Sequence, residues 1–266
     1  MEAQRRRVWL WLILLWIALG QGSVAEERPV WSVGVVPQFP ARQIERVWSP
    51  LLAALSGRVA VDFRLQVAEN IPAFEHDLSE GMFDLAYVNP AQFLANRSRY
   101  RPLLRDHGRR LQGILVTRAD GPIETLAQLE GRRLVFPNHA FAASQLLQRE
   151  LRRRGIRFTP AYVPDHTSVY LNVALGLYPA GGGVRATLER QPRKLRDGLR
   201  ILHRSAAVPP HPLVARRDLD PERVRQVQAA LLALFAERPG LFAGVPVRRL
   251  GPATAADYAS LAEDLP

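Results

Sequence analysis

Residues 31–39 form a β-branched apolar run that meets Pro37, a pattern that predicts a buried strand feeding a loop. Helical spacing follows at Ile44, Val47, Leu51, Leu52 and Leu55, and Pro50 falls inside it as a point where the helix either kinks or divides. Alternation returns at 59–68, the second strand. Residues 71–83 predict a helix stopped near Gly81, 83–90 a strand ending in a loop, and 91–100 a further helix. A β-α-β-α-β rhythm with short connections is the signature of a mostly parallel sheet covered by helices.

The rhythm then repeats. Strands are expected at 112–120, 132–137, 158–164 and 199–205, with helices at 122–131, 141–155 (closed by Gly155) and 166–179. Two α/β units of about 90 residues each predict two lobes rather than one long sheet. The proline-rich stretch at 206–219 turns into a strand, as a hinge crossing back to the first lobe would. An amphipathic helix at 220–237 starts on Asp220-Pro221 and carries Val224, Val227, Leu231 and Leu234 on one face. The predicted division is therefore a first lobe of 26–112 plus 206–266 and a second lobe of 113–205, an α/β fold with a cleft between the lobes.

Composition changes this picture little. The chain has 266 residues, 47% hydrophobic and 23% charged, which suits a folded domain and not a disordered one. It contains no cysteine, which excludes disulfides, thiolate metal sites and cysteine nucleophiles. Residues 1–25 look like a cleavable signal peptide. A basic start with Arg5, Arg6 and Arg7 leads into an apolar run at 8–20 too short to span a bilayer comfortably, and small residues Ser23 to Ala25 precede Glu26. The alternative is an anchor that stays attached. An exported, periplasmic mature chain is expected. The leader holds three arginines and one glutamate, so its removal takes the formal charge from +11 to +9. Lys194 is the only lysine, and the arginines are scattered among acids instead of interleaved with stacking aromatics, which argues against nucleic acid.

Catalytic chemistry is not written into the chain. His139 and His166 have no carboxylate at ligand spacing and no HExxH-like pair occurs, so neither a metal nor a cofactor is expected. Ser144 and Ser168 lack a nucleophile-elbow context, and the chain is read as a non-enzyme. The informative stretch is 132–151, a strand, a loop and a helix. That arrangement can hold an anion on free backbone N–H groups, yet Phe141, Ala142 and Ala143 bring a ring and methyls to the loop. Phe141 lines the cleft or fills core. Tyr87 ends a strand at the expected cleft mouth. Tyr170 and Asn172 follow His166 on its helix, Asn172 facing solvent or a polar ligand tip. Glu69 and Asn70 follow the second strand and reach the cleft or form a surface loop, and the glycines at 181–183 permit close backbone approach or a flexible turn.

The segments at 34–39, 83–94, 115–136, 166–176 and 210–222 together resemble the periplasmic phosphate/phosphite/phosphonate-binding proteins of ABC importers, over about residues 31–234. The resemblance implies a two-lobe, hinge-bending fold with ligand in the cleft between the lobes; a monomer is expected, with a small-molecule ligand and an inner-membrane transporter or other envelope transport components as partners. It implies site positions at Tyr87, with Asn89 in place of a glycine. It sets Phe141, Ala142 and Ala143 where the family has a Ser-Thr-Ser run, with Ser144 replacing the next glycine. The family's His-Asp pair falls on His166 and Thr167, and its carboxylate for an amine falls near Gly183 or Val184. Each lost hydroxyl removes about 1–3 kcal/mol of anion binding. The expected ligand is therefore a mostly apolar molecule, such as a sterol or similar lipid, lined by Phe141, Ala142, Ala143 and Tyr170, with Tyr87, Asn172 or Glu69 on its polar handle. The alternatives are a phosphate/phosphonate-type importer protein and a ligand-sensing module for a membrane kinase.

Overall fold

The computed structural model describes residues 28–245 and 247–262; the expected signal peptide lies outside the described residues. Two mixed sheets organise the chain. The first has the order β11-β4-β10-β3-β1-β2 and the second β7-β6-β8-β5-β9. In the first, β1 (Val30–Val35) sits between β2 (Asp62–Gln66) and β3 (Leu85–Tyr87), parallel to both. β10 (Leu213–Arg216) enters antiparallel between β3 and β4 (Tyr100–Asp106), and β11 (Leu250–Pro252) closes the edge. In the second, β6 (Arg133–Pro137) runs parallel to β7 (Thr159–Val163) and β8 (Gly181–Gly183), while β5 (Ile114–Arg118) is antiparallel to β8 and to β9 (Leu199–Arg204). Each sheet is packed on both faces by its own apolar clusters. Two chain segments, 107–113 and 205–212, join the sheets, and Leu111 and Val208 pair as an isolated antiparallel bridge between them.

Helix α1 (Ala41–Ser56) is continuous through Pro50. Pro50 is exposed, and the buried stripe of Ile44, Trp48, Leu51, Leu52 and Leu55 holds the helix across the missing N–H. Helix α2 (Ile71–Glu80) is capped by Asn70, which accepts from Ala73 N at 2.9 Å, and Gly81 ends it at φ 75°.

Several boundaries depart from the sequence reading. The helix expected at 91–100 is only α3 (Pro90–Ala95), because Tyr100 opens β4 and its hydroxyl donates to Phe83 O at 3.0 Å. Neither β4 nor β11 was expected: arginines and a proline interrupt their apolar runs. The helix expected at 122–131 is a single 3-10 turn, Leu126–Leu129. The segment at 141–153 opens as a π turn, Phe141–Leu146, before continuing as α4 (Leu147–Arg153). The glycines at 181–183 are not a flexible turn but an interior strand. Helix α5 (His166–Ala174) is as expected but shorter, α6 (Arg185–Glu189) and α7 (Arg193–Asp197) were not anticipated, and α8 (Pro221–Glu237) buries the predicted valines and leucines. A last short helix, α9 (Ala259–Ala262), packs on α3. Among the described residues, no helix is long and apolar enough to cross a membrane.

Candidate functional site

A cavity of about 400 Å³ lies between the lobes, with walls from both. The first lobe and the joining segments contribute Pro37, Gln38, Phe39, Ile71, Leu111 and His211. The second contributes the loop 137–143 and, across from it, Asp165, His166, Val184, Thr187 and Arg190. The cavity thus has an apolar side and a polar side.

The polar side begins with backbone. Ser144 N and Gln145 N donate to Ala140 O at 3.1 and 3.2 Å, so the N–H groups of Phe141, Ala142 and Ala143 precede the first intrahelical bonds. The turn can sit there because β8 and the end of the first joining segment are glycine. A Cβ on Gly182 would fall on the Ala143 carbonyl oxygen, and one on Gly113 on that of Ala142. His139, just before the turn, holds φ 52°, a left-handed conformation uncommon outside glycine.

Across the cavity, Asp165 caps α5 by accepting from Ser168 N at 2.8 Å, which holds its carboxyl below the usual range. The next residue, His166, has a buried Nε2 with no hydrogen-bond partner among the described residues. Burial lowers its pKa, so the ring is neutral at pH 7, while Asp165 pulls the other way. A buried ring nitrogen without a partner beside a cavity is a polar group awaiting a ligand or water. Arg190 supplies a cation at the rim.

The sequence-expected residues separate into those brought to the cavity and those spent elsewhere. Phe141, Ala142, Ala143 and His166 line it. Tyr87 stands one ring back: it stacks on His211 at 5.5 Å and meets Trp48 at 5.3 Å with the ring planes tilted, in a row of rings running into the first lobe. Burial, aided by Asp106, pushes its hydroxyl well above the usual range.

Asn89 is a buried helix cap and is not among the residues lining the cavity. Its Oδ1 accepts from Gln92 N at 2.9 Å while Gln92 Oε1 accepts from Asn89 N at 3.0 Å. Ser144 faces a separate groove on the second lobe, where its Oγ accepts from Gln148 at 2.8 Å. Tyr170 is fully buried in the second lobe's core, not in the cleft. Its hydroxyl shares a 2.7 Å hydrogen bond with Thr187 Oγ1 and accepts from Val184 N at 3.2 Å, bracing the cavity wall from behind. Asn172 donates to Ser168 O at 2.8 Å and opens onto a different surface depression. Glu69 is exposed and lies away from the cavity lining, as a surface-loop residue does.

Sequence reasoning missed Gln38, Thr187, Arg190 and His211. Gln38 Nε2 donates to His211 Nε2 at 3.0 Å, and burial lowers the His211 pKa to about 4. His211 sits in the proline-rich crossing segment, where a lone histidine between prolines was the available signal.

Comparison with known proteins agrees with this architecture. No curated protein sequence matches the chain. Among solved structures, XAC2383 from Xanthomonas citri bound to ATP matches with a TM-score of 0.77 at 21% identity, over 88% of this chain and 96% of that one. PhnD1 from Prochlorococcus marinus in complex with methylphosphonate gives 0.73 at 14% identity, over 89% and 97%. A binding protein component of an ABC phosphonate transporter from Pseudomonas aeruginosa gives 0.68 at 15% identity, over 89% and 85%. At such identities these likenesses speak for the two-lobe fold. The profile described as ABC transporter, phosphonate, periplasmic substrate-binding protein matches residues 33–258, and the chain belongs to that family of periplasmic substrate-binding proteins.

Proposed function

We propose that the chain delivers a small organic oxyanion, a phosphonate or a close relative carrying an apolar substituent, to an ABC importer in the inner membrane. The observation that carries this reading is the composition of the cavity lining, which sets Phe39, Ile71 and Leu111 beside Thr187, Arg190 and a His166 whose buried Nε2 has no partner among the described residues. The anionic head would meet the N–H groups of Phe141, Ala142 and Ala143, the Thr187 hydroxyl, His166 and Arg190, while Phe39, Ile71 and Leu111 take the substituent. Backbone donors replace the hydroxyls that the loop lacks. With both His166 and His211 neutral, the negative charge is matched mainly by Arg190 and the helix start.

The expectation of a sterol-like lipid loses support. Tyr170 belongs to a lobe core, and neither Asn172 nor Glu69 is among the residues lining the cavity, so the full apolar lining and these two handles do not assemble there. The family's description favours the oxyanion.

Titration calorimetry with phosphate, methylphosphonate, phenylphosphonate, 2-aminoethylphosphonate and a sterol tests the reading. Phenylphosphonate should bind more tightly than phosphate, and the amino compound reports whether Asp165 recruits an ammonium. His166→Ala and Arg190→Ala should each weaken binding by roughly 5- to 100-fold, the loss of one hydrogen bond to a charged group. Sterol binding without oxyanion binding would refute the proposal, as would affinities unmoved by both substitutions.

A further inference from the structure

Phe141 belongs to the second lobe by sequence, yet it shares an apolar cluster with residues of the first lobe and with Val208 of the joining segment. It follows β6 and opens the π turn, yet only 2% of it is exposed, and it belongs to an apolar cluster built around Val36, Phe74, Phe83 and Val214 of the first lobe. Leu146, at 6% exposure, joins the same cluster, as does Val208 of the joining segment, with Ile71 and Leu111 packed at its margin. Phe141 and Leu146 are the second-lobe residues within it. The second lobe has two further apolar clusters made of its own residues.

The π turn explains how two residues five apart share a face. In an α-helix a spacing of five turns side chains well away from each other; a π turn closes its hydrogen bonds five residues apart and brings i and i+5 into line. The glycines at 113 and 182 let the turn sit close against β8 and the joining segment, since a Cβ at either would strike the turn's own carbonyls. Among the described residues two segments join the lobes, so an apolar cluster shared between them has leverage over their separation.

We infer that Phe141 and Leu146 form an apolar latch that holds the lobes closed without any solute. Opening the cleft strips the ring and the leucine from the first lobe and exposes both to water. The cavity of about 400 Å³ lies beside the ring, so the latch closes the lobes without filling the binding space. Solute then enters through a minor open form, and closure depends on the latch more than on the solute. The consequence for transport is that the closed shape is present both with and without cargo.

Because the chain has no cysteine, paired spin labels can be placed cleanly. Glu80→Cys in the first lobe and Lys194→Cys in the second are exposed positions for labelling, and pulsed dipolar spectroscopy reads the distance between them in solute-free protein. The unmodified latch should give one narrow, short distribution. Phe141→Ala should shift the closed-to-open ratio by on the order of 10- to 100-fold and add a longer distance. Leu146→Ala should shift it in the same direction by less, and Phe141→Leu should keep most of the short distance. If Phe141→Ala fails to fold by circular dichroism, Leu146→Ala decides the matter. A solute-free protein that is already open overturns the latch, as does a distribution unchanged in the folded alanine variants. Since no solute is present, the result is independent of which ligand the cavity takes.

Discussion

At Gly182 one added carbon decides whether the 141–143 turn can sit where it does. Its Cβ would lie 1.9 Å from the Ala143 carbonyl oxygen, so Gly182→Ala must either push the turn outward or bend an interior strand. A loss of about 1–3 kcal/mol in urea unfolding is expected, together with weaker phosphonate binding, because the N–H groups at 141–143 move with the turn. Asn89→Ala makes the contrast. It removes a reciprocal cap, should cost about 1 kcal/mol, and should leave solute affinity unchanged when both are measured on the same preparation. These two residues also mark what a sequence can and cannot disclose. The glycine triplet was visible, and close backbone approach was one of its two readings, but which backbone approached required the fold. Asn89 followed by Pro90 and Gln92 is a capping signature in plain view; alignment with a ligand position drew it to the cleft, and local hydrogen bonding keeps it at the helix start. His166 was found because helix starts and the resemblance coincide there. Arg190 and Thr187 were not, since short helices flanked by charge carry no periodic signal.

Elements with long apolar stripes were the legible ones. α1, α5, α8, β1 and β6 appear where their patterns put them, because burial of a whole face outweighs single unfavourable residues. Pro50 demonstrates the margin. It lacks the N–H that residue 50 would donate toward Arg46, yet five buried side chains keep α1 in one piece. Pro50→Ala should therefore stabilise the protein by about 1–2 kcal/mol, the helix-interior cost of proline less its restriction of the unfolded chain, read as a higher urea midpoint. A drop would show that the proline is needed where it stands. The elements that were misread are those whose identity is set by partners. β4 is interrupted by Pro102 and arginines and becomes a strand by pairing with β10 and β11, which arrive more than 100 residues later. The 122–131 segment had helical spacing, but with Thr125 capping its start and Gly131 at φ 72° just beyond it, only one 3-10 turn fits. The π turn could not be read from spacing at all, because it depends on the glycine bed beneath it.

For the whole molecule, the segments joining the lobes hold a titratable group, His211, whose protonation couples stability to pH. His211 is neutral in the folded protein, its pKa lowered to about 4 by burial between the Tyr87 ring and Gln38. An unfolded histidine titrates near 6.5, so between about pH 6.5 and 4 the unfolded chain binds the extra proton and stability falls as the medium is acidified. At ~1.4 kcal/mol per unit, His211 accounts for up to roughly 3 kcal/mol of that fall. His166, also lowered by burial, adds to it with the same sign. Glu150 works in a different window. Burial alone would raise its carboxyl, but hydrogen bonds from Arg154 and His203, with Ala206 N of the joining segment, outweigh this and hold it below its usual 4.5. Its contribution is complete above about pH 4.5 and is lost only as the pH drops through the lower folded value. The two sites can therefore be separated by substitution. In urea titrations at stepped pH, His211→Gln should flatten the curve between 6.5 and 4 while keeping the Gln38 contact, and Glu150→Gln should be less stable near neutrality and lose less on going below 4.5. A wild-type protein equally stable at pH 6.5 and pH 4 would show that His211 does not resist protonation, and the crossing segment would then be looser than its row of rings implies.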